Sequence, residues 1–213
     1  MLKLGYIVLL AASGMAACHA SPTAGTVNEA GGATQSPDFA VPLAPTPSPT
    51  FQAGLRFSGP AAADAIAAVE AEAARQKMAA VRIDRSQSFN VVDGGKTVAT
   101  LVTGRGNLPD TTLNGCFVAM LQGHETMLIP TLGYGEYEAE PCGGPLAVGF
   151  LSSGAMPRLG IVFRSYSREA EQLLPIVVEW DRSNNTMLID DDASRRALDA
   201  GATSISAMRK IAK

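Results

Sequence analysis

The chain reads Phe89-Asn-Val-Val-Asp-Gly-Gly-Lys-Thr-Val-Ala-Thr-Leu-Val102 near its centre. The residues on both sides of Asp93-Gly94-Gly95 are rich in β-branched and apolar side chains, which favour strands. The aspartate and the two glycines accept the positive φ angles that tight hairpin turns require. This segment therefore predicts an antiparallel β-hairpin.

Similar runs of apolar residues follow the hairpin along the chain and predict further strands. Most of the connections between these runs are short, which favours antiparallel pairing of neighbouring strands. The predicted strands lie at residues 116–121, 126–132, 146–151, 158–163, 176–180 and 186–190.

A helix is predicted before the hairpin and two short ones after the strands. Ser58-Gly59-Pro60 is typical of a helix start with Pro60 at the first helical position, and the helix is expected to run to about Ala79. Its apolar positions at helical spacing are Ala62, Ile66, Val69, Ala73 and Ala80.

Near the C-terminus, Asp191 or Asp192 is expected to cap a helix over residues 193–199. A last helix is expected to start at Thr203 or Ser204, with Ile205, Met208 and Ile211 on one face. The sequence thus predicts an α+β fold: a mostly antiparallel sheet with an N-terminal Ala-rich helix and two short C-terminal helices, in a single domain over residues 51–213.

The N-terminal segment predicts export. Lys3 is followed by apolar or small residues from Leu4 to Ala17, a run too short to span a bilayer as a mature helix and typical of a signal peptide. The run ends in Met15-Ala-Ala-Cys18, which resembles the lipobox of bacterial lipoproteins, with Met15 where that family usually has leucine. The resemblance implies removal of residues 1–17 and lipidation of Cys18. The alternative is a secretory signal without lipid, cleaved at a site such as Ala17 or Ala20.

Residues 19–50 differ in composition from the rest of the chain. They contain 6 of its 13 prolines, no lysine or arginine, and only two acids. Such a segment cannot bury enough apolar surface to order itself. We expect residues 18–50 to be a disordered tether that connects the domain to the lipid bilayer through Cys18. Since His19 rather than aspartate follows Cys18, the resemblance implies the outer membrane of a Gram-negative cell, on the periplasmic side.

Composition and motifs exclude several classes of partner. The chain has 17 Lys and Arg against 20 Asp and Glu, a formal net charge of −3, and no basic cluster is visible along the sequence. Nucleic acid is therefore not an expected partner. No phosphate loop or dinucleotide fingerprint is present, so we expect no cofactor and no metal.

Cys116 and Cys142 are the two cysteines that remain once Cys18 is lipidated. Two thiols in an exported domain most simply form a disulfide. The alternatives are two free buried thiols or a metal site, and two cysteines without a nearby histidine cannot complete a zinc shell.

A segment just before Cys142 combines two tyrosines, several glycines and three acids at alternate positions. The residues of interest are Tyr134, Glu136, Tyr137, Glu138 and Glu140. If this segment is extended, the three carboxylates face one way. One interpretation is an acidic, aromatic loop that binds a partner. The other is a solvated edge strand with a turn, in which the tyrosines cover the rim of the core.

Residues 181–192 carry oxygen ligands at the first, third, fifth and twelfth positions of an EF-hand-like loop. Thr186 replaces the glycine that such a loop needs at its sixth position. The sequence favours the alternative, which is a hairpin turn at residues 183–185 followed by a helix cap at Asp191 or Asp192.

These features favour a binding protein over an enzyme. His124 is the only histidine of the predicted domain, and Ser152-Ser153-Gly154 lacks the glycine pattern of a nucleophile elbow. We expect an envelope-anchored lipoprotein that binds a protein in the periplasm, as an inhibitor or immunity protein against a toxin or cell-wall hydrolase. An assembly or scaffold lipoprotein and a periplasmic hydrolase that uses His124 are the alternatives.

Overall fold

Two antiparallel sheets and three helices form the computed structural model of this chain, which describes residues 54–109, 111, 113–166 and 170–211. The predicted signal peptide, Cys18 and the predicted tether lie outside these residues. The strands are β1 (Arg56–Pro60), β2 (Ala79–Asp93), β3 (Lys96–Asn107), β4 (Gly115–Gln122), β5 (Glu125–Pro130), β6 (Cys142–Phe150), β7 (Arg158–Tyr166), β8 (Glu171–Asp181) and β9 (Thr186–Ile189). The helices are α1 (Ala63–Arg75), α2 (Asp191–Asp199) and α3 (Ile205–Ile211).

The strands divide between two sheets that share one apolar layer. The first sheet has the order β1-β2-β3-β4-β5 and the second the order β6-β7-β8-β9. Side chains from both sheets form the main core, in which Phe163, Met120 and Trp180 are fully buried. Helix α1 packs on the outer face of the first sheet, and α2 and α3 pack on the outer face of the second. The predicted α+β class is confirmed, with the antiparallel strands in two sheets.

The central hairpin forms as the sequence predicts. Asp93 pairs with Lys96 at the end of β2 and β3, and Gly94 and Gly95 between them have φ angles of 55° and 84°. Residues with a side chain rarely adopt this left-handed backbone conformation, which explains the glycines at the turn. The register then shifts at three places along β2, so that the far ends of the two strands are displaced by bulges.

The predicted start of the N-terminal helix is wrong. Ser58 and Pro60 belong to β1, where they pair with Asn90 and Phe89 of β2, and α1 begins only at Ala63. Because β1 is the terminal strand of its sheet, Pro60 can lack an N–H without breaking the pairing. The helix also ends at Arg75 rather than near Ala79. The predicted buried stripe is confirmed in part, since three of its members are buried in α1: Ile66, Val69 and Ala73.

The two C-terminal helices are present, and one predicted cap is displaced. Helix α2 is capped by Asp190, whose carboxylate accepts a hydrogen bond from the Ala193 amide at 2.9 Å, not by Asp191 or Asp192. Helix α3 follows Ser204, whose hydroxyl accepts a hydrogen bond from the amide of Ala207. Met208 of α3 is buried against the second sheet, as its predicted apolar face requires.

The two sheets are joined at both ends of their shared layer. The predicted disulfide between Cys116 and Cys142 is confirmed, with the two Cα atoms 5.4 Å apart, and it connects β4 to β6. At the other end, the side-chain amides of Gln122 and Asn185 donate hydrogen bonds to the carbonyl oxygens of Arg182 and Glu125. An ion pair between Arg182 and Asp93 adds a third connection there.

We predict that loss of the disulfide lowers the free energy of unfolding by about 3.5 kcal/mol, because the bond closes a 26-residue separation and restricts the unfolded chain. The measurement is urea unfolding of the Cys116→Ala, Cys142→Ala double variant, followed by the fluorescence of buried Trp180. Cys18→Ser serves as the control and leaves the unfolding midpoint unchanged. A loss below about 1 kcal/mol in the double variant would contradict the prediction.

Candidate functional site

The segment between β5 and β6 is hydrogen-bonded at one end to β4 and at the other to Asn114, the residue before β4. The Thr131 amide donates to the Cys116 carbonyl at 2.8 Å, and the Cys116 amide donates to the Leu132 carbonyl at 3.0 Å. At the other end, the Cys142 amide donates to the carbonyl of Asn114 at 2.8 Å. Gly133 has a φ of 76°, and a β-carbon there would lie 2.9 Å from the Gly115 Cα atom. Only glycine fits this close approach of the two backbones.

Inside these fixed ends the chain turns back on itself and is not extended. A short 3₁₀ helix spans Gly135–Tyr137, and the Gly133 amide donates to the Tyr137 carbonyl at 2.9 Å. The condition under which the three acids would face one way, an extended segment, is therefore not met. Glu140 accepts hydrogen bonds from Ser165 and Gln172 of the second sheet, whereas Glu138 is exposed. Glu136 alone of the three lines the groove described below.

The two tyrosines of this segment have different environments. Tyr134 is 54% exposed, whereas Tyr137 is half-buried and packs against the main core. Burial raises the pKa of the Tyr137 phenol above its ordinary value, and a hydrogen bond with Ser194 of α2 opposes the rise only in part. The neutral phenol therefore stabilises the fold below the ordinary tyrosine pKa, and this contribution is lost as the pH rises through the raised value. Tyr137 thus packs the segment against the core, while the Tyr134 ring stays largely exposed.

An apolar groove of about 440 Å³ opens beside Tyr134. It lies between the terminal strand of each sheet, with Ile129 of β5 on one side and Leu188 of β9 on the other. Leu188 is 71% exposed, the largest exposure among the exposed large apolar side chains of the described residues. Glu136 and Asp191 add two carboxylates to the lining of the groove.

The sequence reasoning identified only the tyrosine segment of this groove. Leu188 lies far from that segment along the chain, and only the packing of the two sheets, which places the edge strands β5 and β9 next to each other, brings it to the groove. The sequence shows that Leu188 belongs to a short apolar run. It does not show whether the leucine faces the core or the solvent, because that depends on how the strand pairs.

Residues 181–192 form a hairpin turn and a helix cap. The Asp181 carboxylate accepts hydrogen bonds from Ser183 and Asn184 of the β8–β9 turn. Hydrogen bonds from Ser183 and then Asn184 lower the pKa of Asp181 to about 2. These bonds occupy the carboxylate that would be the first ligand of a calcium loop. The described residues contain no group of three or more His, Cys, Asp or Glu arranged to hold a metal ion.

His124 lies in the exposed turn between β4 and β5. It is not among the residues that line the groove beside Tyr134. Ser152 follows β6, and its hydroxyl accepts a hydrogen bond from the Arg158 amide. Among the described residues, His124 also does not line the cleft formed by Arg82, Arg105, Asn107 and Asn114.

Comparison with models of protein families, with curated proteins and with solved structures found no match. Within the described part of the chain, no helix is both long enough and apolar enough to cross a membrane.

We predict that the two tyrosines differ in their effect on stability. Tyr137→Ala lowers the free energy of unfolding by about 2 kcal/mol, because it removes a ring packed against the core. Tyr134→Ala changes it by less than about 0.5 kcal/mol, because that ring is largely in water. Urea unfolding of both variants measures the difference. Equal losses in the two variants would show that Tyr137 does not fix the segment.

Proposed function

We propose that this chain is an envelope-anchored lipoprotein whose folded domain binds a protein partner in the periplasm. Within that class we propose an inhibitor or immunity protein that blocks a toxin or a cell-wall hydrolase. The observation that carries the proposal is the groove beside Tyr134, which combines exposed apolar side chains with a backbone already fixed in place.

The anchor is supported by the sequence alone. Met15-Ala-Ala-Cys18 resembles a lipobox, and the proline-rich residues that follow suit a tether. A lipidated cysteine at the end of such a tether would keep the domain near a membrane while it reaches a partner. The outer membrane and its periplasmic side remain the proposed location.

The groove has the physical properties of a protein-binding surface. Exposed aromatic and large apolar side chains supply contact area at low entropic cost, and both Tyr134 and Leu188 line this apolar depression. The segment around Tyr134 is hydrogen-bonded within itself and braced by a disulfide. It would therefore lose little conformational entropy when a partner binds.

The lining of the groove indicates the chemistry of the partner. An apolar side chain of the partner would enter between Ile129 and Leu188, where it would be removed from water. Glu136 and Asp191 would attract a basic residue beside that apolar anchor. We therefore expect a partner that presents an apolar side chain next to lysine or arginine.

The anchor is tested by replacing Cys18. Cys18→Ser is expected to abolish incorporation of labelled palmitate and to release the domain into the soluble periplasmic fraction, because no acyl chain remains to hold it. The Cys116→Ala, Cys142→Ala double variant is the control and still takes up the label. A wild-type chain without label, together with a Ser variant that stays with membranes, would refute the anchor.

The groove is tested by affinity purification from the native envelope with matched variants. We predict that Tyr134→Ala weakens capture of the partner by about 2 kcal/mol or more, roughly thirtyfold, because central aromatic residues dominate such interfaces. Leu188→Ala is expected to act in the same direction. Tyr166→Ala and Leu146→Ala remove the same residue types from exposed positions elsewhere and leave capture unchanged.

Two results would contradict this function. The first is a partner captured equally well by the Tyr134 variant and the Tyr166 control. The second is loss of the biological activity in His124→Ala while the groove variants retain it, which would make the protein an enzyme.

A further inference from the structure

Three arginines that are separated in the sequence lie together at one end of the first sheet. Arg82 of β2 and Arg105 of β3 are direct cross-strand partners, and Arg85 follows in β2. All three side chains are exposed. The folded chain therefore has a basic cluster, although none is visible along the sequence. Like charges directly opposite each other in a sheet are destabilising, so the fold itself gives no reason for this pair.

The arginines have no acidic partner among the residues that the structure describes. None of the three takes part in an ion pair or a side-chain hydrogen bond there. Asp84 is the acid nearest to them in the sequence, but its Oδ1 atom accepts hydrogen bonds from Ser86 and Gln87 in its own turn. Within the described residues, no acidic side chain neutralises the positive charge of the cluster.

A cleft of about 270 Å³ lies beside the pair Arg82 and Arg105. Its other polar lining residues are Asn107 and Asn114, whose side-chain amides can donate further hydrogen bonds. A second, adjoining depression is lined by the three arginines together with Ile83 and Asp84, the acid whose Oδ1 atom is already hydrogen-bonded in its own turn. The cleft's volume is near the lower limit for small-molecule sites, which suits a compact ligand rather than a protein segment.

The walls of the cleft are held by the backbone. Asn114 is fixed through its carbonyl, which accepts the Cys142 amide beside the disulfide. The backbone at Gly144 runs against the stem of Arg105, since a β-carbon there would lie 3.7 Å from the arginine Cδ. Ala80, which also lines the cleft, has a φ of 52°, a strained conformation for a residue with a side chain. Strain of this kind persists where the surroundings enforce it and occurs frequently at ligand sites.

We propose that this cleft binds a phosphate monoester, with Arg82 and Arg105 as the two guanidinium ligands and Asn107 and Asn114 as additional donors. Arginine binds phosphate oxygens through two parallel N–H groups, a geometry that the ammonium group of lysine does not offer. A phosphate has three terminal oxygens and two negative charges to share among two arginines, whereas a carboxylate has two oxygens and one charge. The monoester is either a free small molecule or the headgroup of a lipid. This inference does not depend on the proposed protein-binding function.

The test is calorimetric titration of the full chain with glycerol 3-phosphate. Saturable binding is expected, weakened about tenfold or more in Arg82→Gln and in Arg105→Gln, because each loses charge-assisted hydrogen bonds. Arg75→Gln is the matched control, since Arg75 is an exposed arginine already paired with Glu72, and its affinity stays at the wild-type value.

A second readout separates a ligand site from a structural effect. Without ligand, Arg82→Gln is expected to raise the melting temperature at low salt, because the repulsion between the paired arginines is relieved. Glycerol 3-phosphate is expected to raise the melting temperature of the wild type and of Arg75→Gln, and to leave the Arg82 and Arg105 variants unchanged.

Vesicles distinguish the two sources of the phosphate, with the Cys18→Ser chain as the background so that no acyl chain contributes to membrane binding. Stronger binding to phosphatidylcholine vesicles containing phosphatidic acid than to pure phosphatidylcholine, lost in Arg105→Gln, assigns the site to a lipid headgroup. Equal binding to both vesicles, with glycerol 3-phosphate still bound, assigns it to a free monoester. The proposal is overturned if glycerol 3-phosphate does not saturate the protein, if the arginine variants bind as well as the wild type, or if malonate binds more tightly than the phosphate.

Discussion

Trp180, Phe163 and Met120 can leave water only when the β1–β5 and β6–β9 sheets face each other, because these side chains lie in the apolar layer that the sheets share. Burial of each such side chain contributes about 1.5–3 kcal/mol. The opposite face of each sheet is already covered, by α1 on one side and by α2 and α3 on the other. The shared apolar layer therefore determines which face of each sheet points inward. The disulfide, the hydrogen bonds and the ion pair that join the two sheets lie at the ends of this layer.

One consequence is that the disulfide stabilises more than the core. Cys116 is the cross-strand partner of Arg105, and it also exchanges backbone hydrogen bonds with Thr131 and Leu132 at the start of the tyrosine segment. The same short part of β4 is thus paired with Arg105, which lines the arginine cleft, and hydrogen-bonded to the segment that carries Tyr134. A covalent bond at this point limits the motion of both surfaces, and a surface that is already ordered loses less entropy when a ligand binds.

The sequence was sufficient where local signals agreed with the tertiary structure. The glycine turn predicted the central hairpin, the helical spacing predicted the buried face of α1, and the two spare cysteines predicted the disulfide. It failed at Ser58-Gly59-Pro60, where pairing with β2 overrides a local helix-start signal. It also failed at residues 134–140, where alternating acids suggested an extended strand. Burial of the Tyr137 ring and the left-handed conformations of Gly133 and Gly135 turn that segment back on itself.

The arginine pair shows why a surface site can be invisible in the sequence. Extending the hairpin register from Asp93 and Lys96 places Asn107 opposite Arg82. The bulges along β2 move Arg105 into that position instead, and no residue type in this segment predicts how many bulges occur. The hydrophobic pattern specifies which face of each strand is buried, but a displacement of two residues keeps every side chain on its face, so the pattern does not detect it.

Two surface features depart from the rules that the rest of the chain obeys. Leu188 is an exposed leucine in a terminal strand, and Arg82 stands opposite Arg105 without an acid between them. Neither Leu188 nor the arginine pair contributes to the core, because both lie outside it. The leucine exposes apolar area on an edge strand, and the two arginines repel each other. Departures from local consistency that the fold does not compensate are expected at functional surfaces. The two surfaces also differ in charge. The groove is apolar and acidic whereas the cleft is basic, so a ligand that suits one surface would not suit the other.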